Sequence, residues 1–224
     1  TAVAVAAGGF HTCAILNDGG LKCWGRNDFG QLGYDSTDGK GDAPGEMAAL
    51  PTVDLGMGNT AVVVSSGDKH TCAILSDGGV RCWGRNDRGQ LGYDSTDSRG
   101  DAPGDMAALQ TIDLGAGANA VAVAASHYTC AILNDGGVRC WGRNEFGQLG
   151  YDSTADQGVS AGQMAALPTV DMGAPASPFA MASSVAAGDS HTCAVRNDRS
   201  VRCWGDNYYG QLGHDGTASI GDAP

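Results

Sequence analysis

The sequence predicts an all-β fold, a β-propeller built of four-stranded blades, and three observations carry that expectation. Glycine fills 36 of 224 positions, and the apolar positions hold small and β-branched residues, a composition suited to short strands and tight turns. The chain repeats itself four times: the first cysteines of four equally spaced pairs lie 59, 58 and 63 residues apart, a period within reach of the longer propeller repeats. Each complete unit reads as four strand-like segments separated by turn residues, which is the pattern of a blade.

The chain is read as one propeller segment, residues 1–224, with repeats at approximately 1–58, 59–117, 118–179 and 180–224. A unit opens on small apolar alternation, "TAVAVAAGG", "TAVVVSSGD", "NAVAVAASH" or "SSVAAGDS", as expected of an inner strand crowded from both faces. A hairpin follows, in which "HTCAIL" and "LKCWG" flank "NDGG"; Asp-Gly is a strong short-range hairpin signal. A three-residue turn with Gly19 at positive φ sets Cys13 opposite Cys23 and Ile15 opposite Leu21, all on one face. Disulfides are therefore expected at Cys13 and Cys23, Cys72 and Cys82, Cys130 and Cys140, and Cys193 and Cys203. Next comes a long polar connection that keeps "GQLG". A closing "AALPTVDLG" is expected to be a fourth, outer strand, whose unpaired edge tolerates Pro. The last unit stops at "GDAP", in register with Gly41 to Pro44. It is expected to be an incomplete blade in a longer polypeptide, because its edge would otherwise be open.

Charge and cysteine use narrow the function. With 13 Lys and Arg against 25 Asp and Glu, the net charge is −12, which repels nucleic acid and anionic membranes. No apolar run reaches the length of a membrane span. Eight cysteines in identical local pairs indicate an oxidising compartment, so the chain is expected to be extracellular or at a cell surface. It has no Asn-x-Ser/Thr acceptor.

"HTCAILNDGGLKCWGRNDFGQLG" resembles the repeat of the regulator of chromosome condensation family. The matching Trp-Gly elements are Trp24-Gly25, Trp83-Gly84, Trp141-Gly142 and Trp204-Gly205, and the Gly-Gln-Leu-Gly elements run Gly30–Gly33, Gly89–Gly92, Gly147–Gly150 and Gly210–Gly213. The resemblance covers essentially the whole chain. It implies a propeller of typically seven blades, of which four repeats are present here, and by analogy a nucleotide-exchange or regulatory role towards a small GTPase.

Four constellations are candidates for chemistry. His11, Cys13 and Cys23 share a face and form a zinc-like donor set, but the third unit has Tyr128 in the place of His11 and His127 displaced by one, while its cysteines remain. The loops "YDSTDGKGD", "YDSTDSRGD" and "YDSTADQG" offer oxygens to calcium, against which stands an ordinary Asp/Ser turn. Ser160 in "GVSAG" matches a nucleophile motif but lies outside a strand-to-helix elbow. Arg26, Arg85 and Arg143, with Asp206 in the fourth unit, could line a ligand-binding rim beside the tryptophans. The tryptophans Trp24, Trp83, Trp141 and Trp204 are expected instead to pack between blades, with the arginines paired to neighbouring carboxylates.

The resulting expectation is a non-enzymatic extracellular structural or binding module with no cofactor. Its partner would be a protein, a glycan or copies of itself, with assembly into a filament or multi-subunit structure. The alternatives are the exchange factor of the family analogy and a propeller enzyme with a central site.

Overall fold

The computed structural model describes residues 1–173 and 181–222. The expected boundary at 179 and the last two residues of "GDAP" lie outside the described residues. Four antiparallel three-stranded sheets follow one another: β1 (Ala2–Ala7), β2 (His11–Leu16) and β3 (Leu21–Gly25); β4 (Ala61–Ser66), β5 (His70–Leu75) and β6 (Val80–Gly84); β7 (Ala120–Ala125), β8 (Tyr128–Leu133) and β9 (Val138–Gly142); β10 (Ala182–Ala187), β11 (His191–Arg196) and β12 (Val201–Gly205). Two single-turn helices, α1 (Glu46–Ala49) and α2 (Asp105–Ala108), lie in the connections after the first two sheets.

The hairpins take the register their turns dictate. Cys13 faces Cys23 and Ile15 faces Leu21, and Gly19 sits at φ 79°. Asp18 caps the turn by accepting the Gly20 N–H at 3.0 Å, and Asp77, Asp135 and Asp198 repeat that bond. Disulfides join Cys13–Cys23, Cys72–Cys82, Cys130–Cys140 and Cys193–Cys203, with Cα separations of 4.0–4.1 Å. Each closes its own hairpin and reaches no other repeat.

A single three-stranded sheet cannot bury both of its faces, and its neighbours do so. The apolar side chains form three clusters, and each spans two successive repeats. In the first, Cys13, Ile15, Leu21 and Leu32 of repeat one meet Ala73, Leu75 and Trp83 of repeat two. Cys72 and Ile74, on the opposite face of β5, turn instead to the cluster shared with repeat three. The alternation of a strand thus assigns one face to each neighbour.

The expected fourth strand forms no ladder; among the described residues every sheet has three strands. The outer edge of β3 is covered piecemeal instead. Val53 N–H reaches Leu21 O at 2.8 Å, and Gly25 exchanges two main-chain bonds with Lys40. Cys23 N–H donates to the Tyr34 hydroxyl at 3.0 Å. Tyr93 and Tyr151 do the same for Cys82 and Cys140. Repeat two ends its pairing at the same place, with Ile112 N–H on Val80 O, although Gln110 there has the N–H that Pro51 lacks; the tyrosine hydroxyl, which also bonds Pro51 O or Gln110 O, stands between the closing segment and the strand edge. An edge occupied this way has no row of free donors left to protect.

The inner strands also depart from expectation. Val3, Val62 and Val121 are more than half exposed, so crowding from both faces does not explain the small residues. Close approach between strands accounts for some of them: Ser66 Oγ lies 3.3 Å from Ala6 O, and Ala125 N–H donates to Ser65 Oγ at 3.0 Å.

Candidate functional site

Two regions concentrate polar chemistry: the seams between repeats and one rim of loops above them. At the first seam the Gln31 main-chain oxygen accepts two bonds from repeat two, from Thr71 Oγ1 at 2.8 Å and from Trp83 Nε1 at 3.1 Å. His11 Nε2 completes the set 2.7 Å from Thr71 Oγ1. Gln90, Thr129, Trp141 and His70 repeat the arrangement at the second seam. At the third, Gln148 O accepts from Thr192 and Trp204, and Tyr128 stands where the histidine would be. Burial holds His11 down to about 4, partly offset by Asp68. His70, more deeply buried and facing His11 and His127, is held down to about 3.

The tryptophans therefore divide. Trp83, Trp141 and Trp204 are buried in seams, each bonded to the preceding repeat. Trp24 is partly exposed on the outer face of repeat one and lines an open cleft with Arg26, Asp28 and Lys40.

The rim is built from two loops per repeat. The turn before β2 and the segment after β3 are tied by main-chain bonds, Arg26 N–H to Phe10 O, Arg85 N–H to Lys69 O and Asp206 N–H to Ser190 O, at 2.8–3.0 Å. Cations and rings alternate across repeats one and two. Arg26 lies 5.3 Å from the Phe10 centroid, Lys69 5.9 Å from Phe10 and 5.7 Å from Phe29, and Arg85 5.4 Å from Phe29. Such stacking is attractive through the ring quadrupole. Each arginine also pairs with a carboxylate two residues on: Arg26 with Asp28, Arg85 with Asp87, and Arg143 with Glu145. In repeat four Asp206 has no such cation and instead accepts from Gln211 Nε2 at 2.9 Å. Arg88 bridges repeats to Glu145 and Asp156, and His127 Nε2 lies 2.9 Å from Asp189. Among the described residues the four exposed aromatic side chains, Phe10, Phe146, Tyr208 and Tyr209, all belong to this rim.

The remaining candidates are accounted for by local structure. His11 turns to Thr71, and both sulfurs beside it are in a disulfide. Among the described residues no three His, Cys, Asp or Glu side chains are gathered to hold a metal ion. The "YDST" aspartates clasp the next repeat: Asp35 accepts the Gly104 and Met106 N–H groups at 2.9 and 2.8 Å, and Asp94 those of Gly162 and Met164. Ser160 lies in a turn closed by Gln163, whose Oε1 accepts the Val159 and Ser160 N–H groups. No helix is long and apolar enough to cross a membrane among the described residues.

The sequence points to His11 and the "YDST" aspartates but not to their role between repeats, and it does not single out the Thr and Gln of the seam set or the "YDST" tyrosines. Their signal was present in recurrence: "HT" stands in repeats one, two and four, and "YDST" in repeats one to three.

Comparison with known proteins adds the following. The profile described as the regulator of chromosome condensation (RCC1) repeat matches residues 2–31, 61–90, 120–148 and 182–211, and a second profile of the same description matches 18–74, 77–133 and 135–195. The human E3 ubiquitin-protein ligase HERC2 is 29% identical over 209 residues, covering 92% of this chain and 4% of that protein. A crystal structure of Kap60 bound to yeast RCC1 (Prp20) superposes with a TM-score of 0.71 at 23% identity, over 99% of this chain and 48% of the other. The ectodomain of the Physcomitrella patens receptor kinase CR4 superposes with a TM-score of 0.51 at 18% identity, over 92% of this chain and 42% of that one. The chain thus spans less than half the length of each of these relatives.

Proposed function

The chain belongs to the regulator of chromosome condensation repeat family, and on that premise we propose that it is a non-enzymatic, extracellular binding module that engages a protein or glycan partner through its loop rim. One observation carries the reading. All exposed aromatic side chains among the described residues lie on that rim with its arginines, and aromatic residues and Arg dominate the binding energy of protein interfaces. The internal comparison agrees with it. The hairpin turns are nearly constant, whereas the position of Phe10 becomes Lys69, His127 and Ser190, and that of Phe29 becomes Arg88, Phe146 and Tyr209. Residues needed by the scaffold recur in every copy; residues used for recognition are free to differ. The intra-repeat disulfides and the likeness in fold to a receptor ectodomain support the extracellular setting.

Self-association is part of the proposal. The exposed aromatics of the rim would serve a second copy as well as another partner, and repeated pairing of this kind would yield a filament. Sedimentation that shows a monomer at every concentration would remove this part. The exchange-factor alternative rests on family analogy alone and is tested by nucleotide release from a small GTPase.

The rim itself is tested by screening the immobilised chain against glycan arrays and the secreted proteins of its source. Binding lost on Tyr208→Ser with Tyr209→Ser, yet kept on Asp77→Asn at the opposite, hairpin end, supports the reading. Equal binding by both variants contradicts it.

A further inference from the structure

We propose that the two seams closed by His11 and His70 are acid-released latches, whereas the seam closed by Tyr128 is not, so that falling pH parts the first two seams while repeats three and four stay joined.

The inference rests on hydrogen-bond directions and is independent of the binding role. Thr71 has one hydroxyl hydrogen, and it is directed at Gln31 O, 2.8 Å away. Its oxygen can then only accept from His11 Nε2, 2.7 Å away. That requirement fixes the neutral tautomer with its hydrogen on Nε2. Nδ1 of His11 is left as a bare acceptor, buried and without a hydrogen-bond partner. A proton arriving there would bury a charge and leave an N–H with no acceptor, both of which oppose the closed seam. Thr129 Oγ1, 2.9 Å from Gln90 O and 2.8 Å from His70 Nε2, fixes the same tautomer at the second seam; the enclosed, partnerless Nδ1 is a feature of His11, and at His70 it is the burial of a charge on a ring 1% exposed that opposes protonation.

Surrounding charges are few. His11 faces Asp68 from the turn before β5, a carboxylate within 4 Å of both Lys69 and His127. His70 faces His11 on one side and His127 on the other, so a second proton in this row meets repulsion. At the third seam the Thr192 hydrogen is on Gln148 O, so the one Tyr128 hydroxyl hydrogen serves both Thr192 Oγ1 at 2.7 Å and His191 O at 2.5 Å. Burial pushes its ionisation upward, so it is neutral throughout the acid range.

The direction of the effect follows from proton counting. A histidine held neutral when folded binds its proton on release, so the seam is fully stable above the ordinary value of 6.5 and weakens as pH falls. Weakening continues to about 4 for His11 and about 3 for His70. Within that window each histidine raises the opening constant about tenfold per pH unit.

The experiment measures hydrogen exchange of the indole Nε1–H groups in the full chain between pH 7 and 5, above the range in which ordinary carboxylates protonate. Trp83 and Trp141 report the histidine seams and Trp204 the tyrosine seam. Expressing each rate relative to Trp204 removes the intrinsic pH dependence of exchange. The expected result is a ratio rising about tenfold per pH unit below 6, retained in His127→Gln and abolished by His11→Tyr with His70→Tyr, which copies the third seam. A ratio that does not change with pH, or that still rises in the double variant, would overturn the proposal. If the double variant fails to fold, nitrogen NMR of the native imidazoles decides. Nε2-protonated neutral rings at His11 and His70 down to pH 5 support the latch, and titration near 6.5 overturns it.

Discussion

Trp83 Nε1–H of repeat two donates to the main-chain oxygen of Gln31 in repeat one across 3.1 Å, and no disulfide joins the two repeats. Cohesion between repeats therefore rests on seams, and cohesion within each hairpin is reinforced by sulfur. A pair of substitutions separates these contributions. Trp141→Phe keeps a ring in the second seam but removes the bond to Gln90 O, and is expected to cost about 1–2 kcal/mol. Trp24→Phe removes no such bond and is expected to cost less than about 0.5 kcal/mol. Chemical denaturation of the two variants compares them directly.

The seams also need room. Gly89 lies at φ 76°, and a Cβ there would come within 2.6 Å of the Gly158 backbone in the next repeat; Gly210, also at φ 76°, has nothing within 4 Å. Gly210→Ala should cost about 1 kcal/mol, for the left-handed backbone alone. Gly89→Ala adds a backbone clash and should cost about 3 kcal/mol or more. Equal losses in thermal melts would mean that the repeats do not approach as closely as described.

Arg199 occupies the turn position held by Gly19, Gly78 and Gly136 in the other repeats, and it does so at φ 68°. Relief of that conformation outweighs the extra chain entropy of glycine. Arg199→Gly is thus expected to stabilise the chain by about 0.5–1 kcal/mol, read as a shift in denaturation midpoint. A loss of stability would show that the fourth turn is not built like the others.

The hairpins were legible because two independent signals coincide there. Asp-Gly sets the turn, and cysteines ten residues apart can meet only in one register. Trp83, Trp141 and Trp204 were legible as packing residues because an aromatic that recurs at one place in each propeller repeat serves the interface between units. The outer edge was not. Its period-two pattern in "PTVDLG" is real, but Val53 alone makes a main-chain bond to β3, and the tyrosine of "YDST" takes the next place on that edge. A side chain that substitutes for a strand leaves no periodic trace. The "YDST" aspartates suggest either calcium ligands or, in preference, an ordinary Asp/Ser turn, since sequence spacing cannot reveal that Asp35 meets backbone N–H groups about seventy residues away. The His–Thr–Gln set is equally non-local, and its parts are ordinary residues until two repeats come together.

Disulfide mapping of the native, unreduced chain tests the central claim most directly, namely that every repeat carries its own sulfur-closed hairpin. Proteolysis after blocking of free thiols, followed by mass spectrometry, should recover Cys13 with Cys23, Cys72 with Cys82, Cys130 with Cys140 and Cys193 with Cys203, and no blocked cysteine. Blocked thiols throughout, or bonds running between repeats, would contradict both the hairpin register and the oxidising compartment.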